Sequence, residues 1–114
     1  MADAELDLLQ GTLDVMILKS LSWGPMHGFG IAKWIRQTTD GVLQIEDSAL
    51  YPALHRMEHR GLIDAEWGIT ENNRRAKYYR LTTKGRQQLR ERVSTWDRYT
   101  AAVTKVVHAT TQPA

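Results

Sequence analysis

The stretch Ser48-Ala-Leu-Tyr-Pro-Ala-Leu-His-Arg-Met-Glu-His-Arg60, with Gly61-Leu-Ile63 after it and Lys77-Tyr-Tyr-Arg-Leu81 further on, decides how this chain folds. Leu50, Ala53, Leu54 and Met57 fall at helical spacing and make one apolar stripe. Ser48, Pro52, His55 and His59 lie on the opposite side, flanked by Tyr51 and Arg56. Asp47 or Ser48 can cap the start of this helix, and Pro52 suits its first turn, where a missing N–H removes little bonding. Residues 63–67 and 77–81 then alternate as half-buried strands do. Ile63, Ala65 and Trp67 face one way, joined by Tyr79 and Leu81 from the returning strand. Tyr78 and Arg80 point outward, with Arg80 in reach of Asp64 or Glu66 across the pair. Glu71 to Arg75 have nothing apolar to bury, so the tip between the strands is solvated or bound to something. A short cationic helix followed by a hairpin with Arg74 and Arg75 at its tip fits duplex DNA. The helix enters the major groove and the tip meets the adjacent backbone.

Working outward, residues 5–22 read as a helix with Leu6, Leu9, Leu13, Met16, Ile17 and Leu21 on one row and Leu8, Val15 and Leu18 on another. A helix apolar on two sides is buried on both, here against its own domain and a partner. Trp23-Gly24-Pro25 ends it. A weaker helix covers residues 26–38. Its Gly28-Phe29-Gly30 follows no strand and completes no phosphate loop, so the glycines point to close packing and not to a nucleotide. Thr39-Asp40-Gly41 closes that helix, and residues 42–45 suggest a short strand.

Beyond Leu81, a Thr82 or Thr83 cap opens a last helix reaching about His108. Leu89, Val93, Trp96, Val103 and Val107, with Thr100 between, repeat at alternating spacings of four and three. That is a short heptad seam, too short for a free-standing coiled coil but long enough to pack on a symmetry mate or on the chain's own domain. Residues 109–114 read as disordered.

The chain has 114 residues, a net charge of +2 and no cysteine. The length suits one domain, or a small domain with an appended helix, and leaves room for stabilisation by a second subunit. Without cysteine there is no disulfide framework and no thiolate metal site, in keeping with a reducing cytoplasm. No stretch has the length and apolarity of a membrane span, and the acidic start lacks the features of a signal peptide. The charge is unevenly spread. Asp3, Glu5, Asp7 and Asp14 occupy the first 18 residues without a base, whereas residues 74–92 carry eight bases against Glu91 alone. Basic charge gathered on one element is the footprint of a nucleic-acid face, although a solvated helix start would look similar.

Two rival readings fit parts of the sequence. His55-Arg-Met-Glu58-His59 matches the inverted zinc-peptidase pattern, with two His one helical turn apart. Such enzymes need a third ligand from a distant helix and a peptide cleft, and Glu58 lies off the His pair on the wheel. Enzymatic activity is therefore not expected, nor a cofactor or metal, and no serine has nucleophile-elbow surroundings. The second rival is a winged-helix module that binds proteins. It has no need for Arg74 and Arg75 beside a cationic helix face.

Several segments together resemble the PadR family of bacterial transcriptional repressors. They are Leu9-Gln-Gly-Thr-Leu13, Met26-His-Gly-Phe29, Leu50-Tyr-Pro-Ala-Leu-His-Arg-Met-Glu58, Gly61-Leu-Ile63 and Arg75-Ala-Lys-Tyr-Tyr-Arg-Leu-Thr82. The resemblance spans residues 6–108. It implies a mostly α protein with a small β-hairpin wing: a winged helix-turn-helix DNA-binding domain over residues 1–82 and a C-terminal dimerisation helix over 83–108. Two segments depart from the family's pattern. Ala49 stands where a hydroxyl is usual, and Gly28-Phe29-Gly30 replaces Gly-Tyr-Glu. The expected DNA-binding residues are Ser48, Tyr51, Pro52, His55, Arg56, Arg74, Arg75 and Lys77. Leu9, Leu13, Leu89, Val93, Trp96, Val103 and Val107 are expected to join a homodimer whose operator is an inverted repeat. Relatives respond to phenolic acids or hydrophobic drugs. A two-fold axis near Trp96 would accordingly place two indoles as a slot for a planar aromatic effector, unless Trp96 only packs the interface.

Overall fold

The computed structural model describes residues 11–114. Its elements are α1 (Thr12–Leu21), β1 (Met26–His27), α2 (Gly28–Thr38), α3 (Asp47–His59), β2 (Ile63–Ile69), β3 (Arg75–Leu81) and α4 (Thr83–Val107). The sheet is antiparallel in the order β1-β3-β2. Leu6, Leu8 and Leu9, placed in the first helix by the sequence, lie outside the described residues.

One core binds these elements. Ile17, Leu18 and Leu21 of α1, Ile31 and Ile35 of α2, and Leu50, Ala53, Leu54 and Met57 of α3 are all buried, together with Ile63, Tyr79 and Leu81 from the hairpin. The stripe foreseen on α3 is thus the centre of the fold. Each large side chain buried there contributes roughly 1.5–3 kcal/mol over leaving it in water.

Several local readings need correction. Residues 42–45 form no strand; Thr39 instead holds that loop, its hydroxyl donating to the Ile35 carbonyl and accepting from the Leu43 N–H. The third sheet strand is the two-residue β1, paired Met26 to Tyr79 and His27 to Tyr78, which takes the place of the start expected for the second helix. The α3 cap is Glu46, whose side chain makes no capping bond, and Asp47 and Ser48 are already helical. Pro52 therefore sits in the second turn, not the first, and leaves the Ser48 carbonyl without its i+4 N–H.

Trp67, expected on the buried side of the hairpin, is 57% exposed, because β2 runs past the body of the domain before turning. Both strands extend two residues nearer the tip than expected, so Arg75 pairs with Ile69 inside the ladder. The expected cross-strand partners Arg80 and Asp64 do meet, Nε to Oδ1 at 2.6 Å. Asn73 takes a positive φ at the turn, the backbone a three-residue hairpin loop requires there.

α4 starts as expected. Thr82 caps it, its hydroxyl oxygen accepting from the Gly85 N–H at 3.0 Å. Gly85 has to be glycine, since a Cβ there would collide with the Leu62 carbonyl. This close approach docks the first turn of α4 on the α3–β2 corner. From there 25 residues run on, about 37 Å at the usual rise, and the molecule is drawn out to 62 × 37 × 21 Å. Leu89 still packs on the core, but Tyr99, Val103, Val106 and Val107 are exposed. Residues 109–114 are exposed and carry no regular structure.

Candidate nucleic-acid interface

α3 presents Ser48, Pro52, His55 and His59 to solvent, as its wheel requires once Leu50, Leu54 and Met57 are buried. Tyr51 leans from this face onto α2, against Gly28, where a Cβ would come within 2.7 Å of the phenol oxygen. Gly28 thus has the close-packing role read from the sequence, whereas a Cβ at Gly30 would meet only ordinary contacts. Burial, reinforced by the Asp47 carboxylate, raises the Tyr51 phenol above its usual pKa.

At the wing, Arg74 and Arg75 are exposed. The Arg75 guanidinium lies 4.5 Å from the centre of the Trp67 ring, an arrangement that restrains a side chain otherwise free to wander. Lys77 is different. Its Nζ is 3.1 Å from Glu58 Oε1, so it fastens β3 to α3 and is less available than the two arginines. Glu58, the acid of the zinc-peptidase pattern, is thereby engaged in an ion pair. Among the described residues no three His, Cys, Asp or Glu side chains gather as a metal site would need.

Tyr51, Arg74, Arg75 and Lys77 share one cleft of about 670 Å³ with residues the sequence did not assign to the DNA site: His27, Phe29, Lys33 and Trp67. β1 brings them there. Its pairing with β3 sets the start of α2 beside the wing, and His27 caps that helix, Nδ1 accepting from the Gly30 N–H at 3.0 Å. His27 also packs edge-on against Tyr78, with ring centres 5.3 Å apart. A two-residue strand leaves no periodicity to read, which is why these neighbours were not legible. Exposed aromatic surface beside Lys33, Arg74 and Arg75 suits a sugar–phosphate strand, whose charge needs cations and whose sugars tolerate apolar contact.

Arg56 does not simply flank the groove-facing side. Its Nη2 lies 3.1 Å from Asp14 Oδ1 on α1, and Arg92 Nη1 on α4 approaches the other oxygen, Oδ2, at 3.5 Å. Next to this cluster α1 and α4 enclose a groove of about 650 Å³ lined by Val15, Arg92, Trp96 and Tyr99 among others. Of the residues expected at a dimer interface, Leu13 and Leu89 pack on the chain's own core, Val93 and Trp96 are over a third exposed, and Val103 and Val107 are more so. Leu9 lies outside the described residues. Thr100 completes the seam with its hydroxyl donated to the Trp96 carbonyl at 2.9 Å.

Comparison with known proteins gives this geometry its context. The sequence model of the transcriptional regulator PadR-like family matches residues 17–91. An uncharacterised protein from Lysinibacillus sphaericus is 32% identical over 90 residues, which make up 79% of this chain and 83% of that protein. Among solved structures, a transcriptional regulator from Clostridium thermocellum superposes with a TM-score of 0.77 at 32% identity, covering 84% of this chain and 93% of that one. A PadR family transcriptional regulator from Eggerthella lenta gives 0.74 at 31% identity, covering 88% and 85%.

Proposed function

Because this chain belongs to the PadR-like family of transcriptional regulators, we propose that it is a homodimeric repressor that binds an inverted-repeat operator in duplex DNA. The single observation that carries this reading is the shared cleft in which Tyr51 of α3 meets the exposed wing residues Arg74 and Arg75. α3 would lie in the major groove, with His55 and Ser48 toward the bases and Tyr51 donating its phenol proton to a phosphate. Arg74 and Arg75 would hold the neighbouring backbone, and Lys33 and His27 would line the path of the strand between them.

Dimerisation is assigned to α4. Val93, Trp96, Val103 and Val107 of its heptad seam are apolar and exposed, and a two-fold axis along them would cover them with their own copies. Two recognition helices set by such an axis would read half-sites about one helical turn apart, roughly 34 Å. The groove beside Trp96 is the place for a planar aromatic effector. Val15, Trp96 and Tyr99 give it apolar walls, and Arg92 and Gln88 supply the polar handle that Thr100 cannot.

Gel-shift titration against the promoter beside the protein's own gene tests this reading. Retention of an inverted repeat at nanomolar protein, with steep loss as salt rises, is the expected result. Binding that ignores both sequence and salt would refute it.

A further inference from the structure

Asp14 is nearly buried, its side chain only 12% exposed, yet it is approached by two guanidinium groups from two different helices. Arg56 comes from α3 and Arg92 from α4, one on each carboxylate oxygen. A buried carboxylate requires compensation, and here a single negative charge serves two positive ones. The Arg56 side chain remains 47% exposed, so it retains donors directed at solvent on the flank of the recognition helix.

We propose that Asp14 is a shared positioning residue through which Arg92 of the dimerisation helix sets how far Arg56 of the recognition helix is free to reach a DNA phosphate. This rests on the DNA-binding reading above. While Arg92 occupies one carboxylate oxygen, Arg56 is held at the other alone, Nη2 to Oδ1 at 3.1 Å, and its remaining N–H groups are available to the backbone. When Arg92 leaves, the carboxylate has one partner, and Arg56 is drawn inward onto both oxygens. Coulombic attraction at 3–4 Å in a partly buried site is strong enough to decide the position of one flexible side chain. Arg92 also forms part of the wall of the α1–α4 groove, so any shift of α4 against α1 moves it relative to Asp14. The position of the dimerisation helix is in this way read at the DNA face without any change in the core.

The test is a set of salt titrations on one operator duplex with the full-length protein. Each phosphate contact contributes about 0.9 to the slope of log affinity against log salt. Arg92→Gln is expected to lower the slope by about one contact, and Arg56→Gln by the same amount. The double variant Arg56→Gln/Arg92→Gln should lose no more than Arg56→Gln alone. Arg92→Lys, which keeps a charge on the carboxylate, should hold the slope near that of the wild type. In an Asp14→Asn background Arg92→Gln should change nothing. Equal drops for Arg92→Gln in the presence and absence of Arg56 would mean that Arg92 touches DNA itself, and would overturn the proposal, as would an unchanged slope in Arg92→Gln. Should Asp14→Asn not fold, the Arg56 and Arg92 variants still decide. A wild type that fails to bind DNA would instead sink the DNA-binding reading. Carboxylate sharing would then be checked in the free protein, where Arg92→Gln must shift the Arg56 guanidinium nitrogen resonances; if it does not, the sharing is absent.

Discussion

The winged body and the far half of α4 are built from the same pattern, apolar residues at helical spacing, and the structure treats them in opposite ways. In the body Ile17, Leu18, Leu50, Leu54 and Met57 are sealed from water by neighbours in the same chain. In the arm Val103 and Val107 repeat the spacing with no such cover among the described residues. Periodicity therefore reports an apolar face and does not report what covers it. A body sealed within one chain has a stability independent of concentration. An arm covered by a second copy has a stability set by mass action.

The largest effect should come from the body. Leu54→Ala opens a cavity under α3 and is expected to cost about 2–5 kcal/mol, read as a lower midpoint in urea. Val107→Ala, measured in dilute protein, should stay within about 0.5 kcal/mol of the wild type. If both lose the same amount, the arm is packed on its own domain and the contrast is mistaken.

The arm is best broken by charge. Val103→Asp/Val107→Asp should leave the helical circular dichroism intact and yield a monomer in sedimentation at micromolar concentration. Loss of the linked second half-site should then lower operator affinity by about 100-fold or more, with single half-sites bound as before. A double variant that still sediments as a dimer would move the interface elsewhere on the molecule.

What the sequence disclosed divides along related lines. The α3 stripe, the hairpin, the Thr82 cap and the extent of α4 were legible, because each is set by residues close together in the chain. The Glu46 start of α3, the two-residue β1 and the exposure of Trp67 were not. Each depends on where another element happens to lie: β1 exists only because β3 runs beside it, and Trp67 is exposed only because β2 outruns the domain. The same limit applied to the candidate site. Tyr51, Arg74 and Arg75 could be chosen by chemistry and position, but Phe29 and Lys33 joined them only through β1. Arg56 was legible as a cation on the recognition helix; its tie to Asp14, 42 residues away, was not.

Within the proposed DNA face the same contrast between free and fastened groups recurs on a smaller scale. Arg74→Ala/Arg75→Ala should weaken binding to all duplexes alike and lower the salt slope by about one to two, since each side chain stands for one phosphate. Lys77→Ala should leave the slope nearly unchanged, because Glu58 already engages that ammonium group. An equal fall for Lys77 would show that its ion pair with Glu58 opens on the DNA.

The smallest effect is expected at Trp67. Its ring carries the Arg75 guanidinium at 4.5 Å, and both groups are exposed. A cation–π contact at such a site is worth about 0.5–1 kcal/mol. That energy does not create the phosphate contact; it reduces the freedom Arg75 gives up on binding. Trp67→Ala should therefore weaken DNA binding only about two- to fivefold, by the same energy, and leave the salt slope as it was, because the charge remains. Trp67→Phe should recover most of the loss. In Arg75→Ala protein, replacing Trp67 should have no further consequence, since the partner it orders is gone. A loss at Trp67 that persists without Arg75 would instead place the indole itself against the DNA, which its position in the aromatic cleft beside Phe29 also allows.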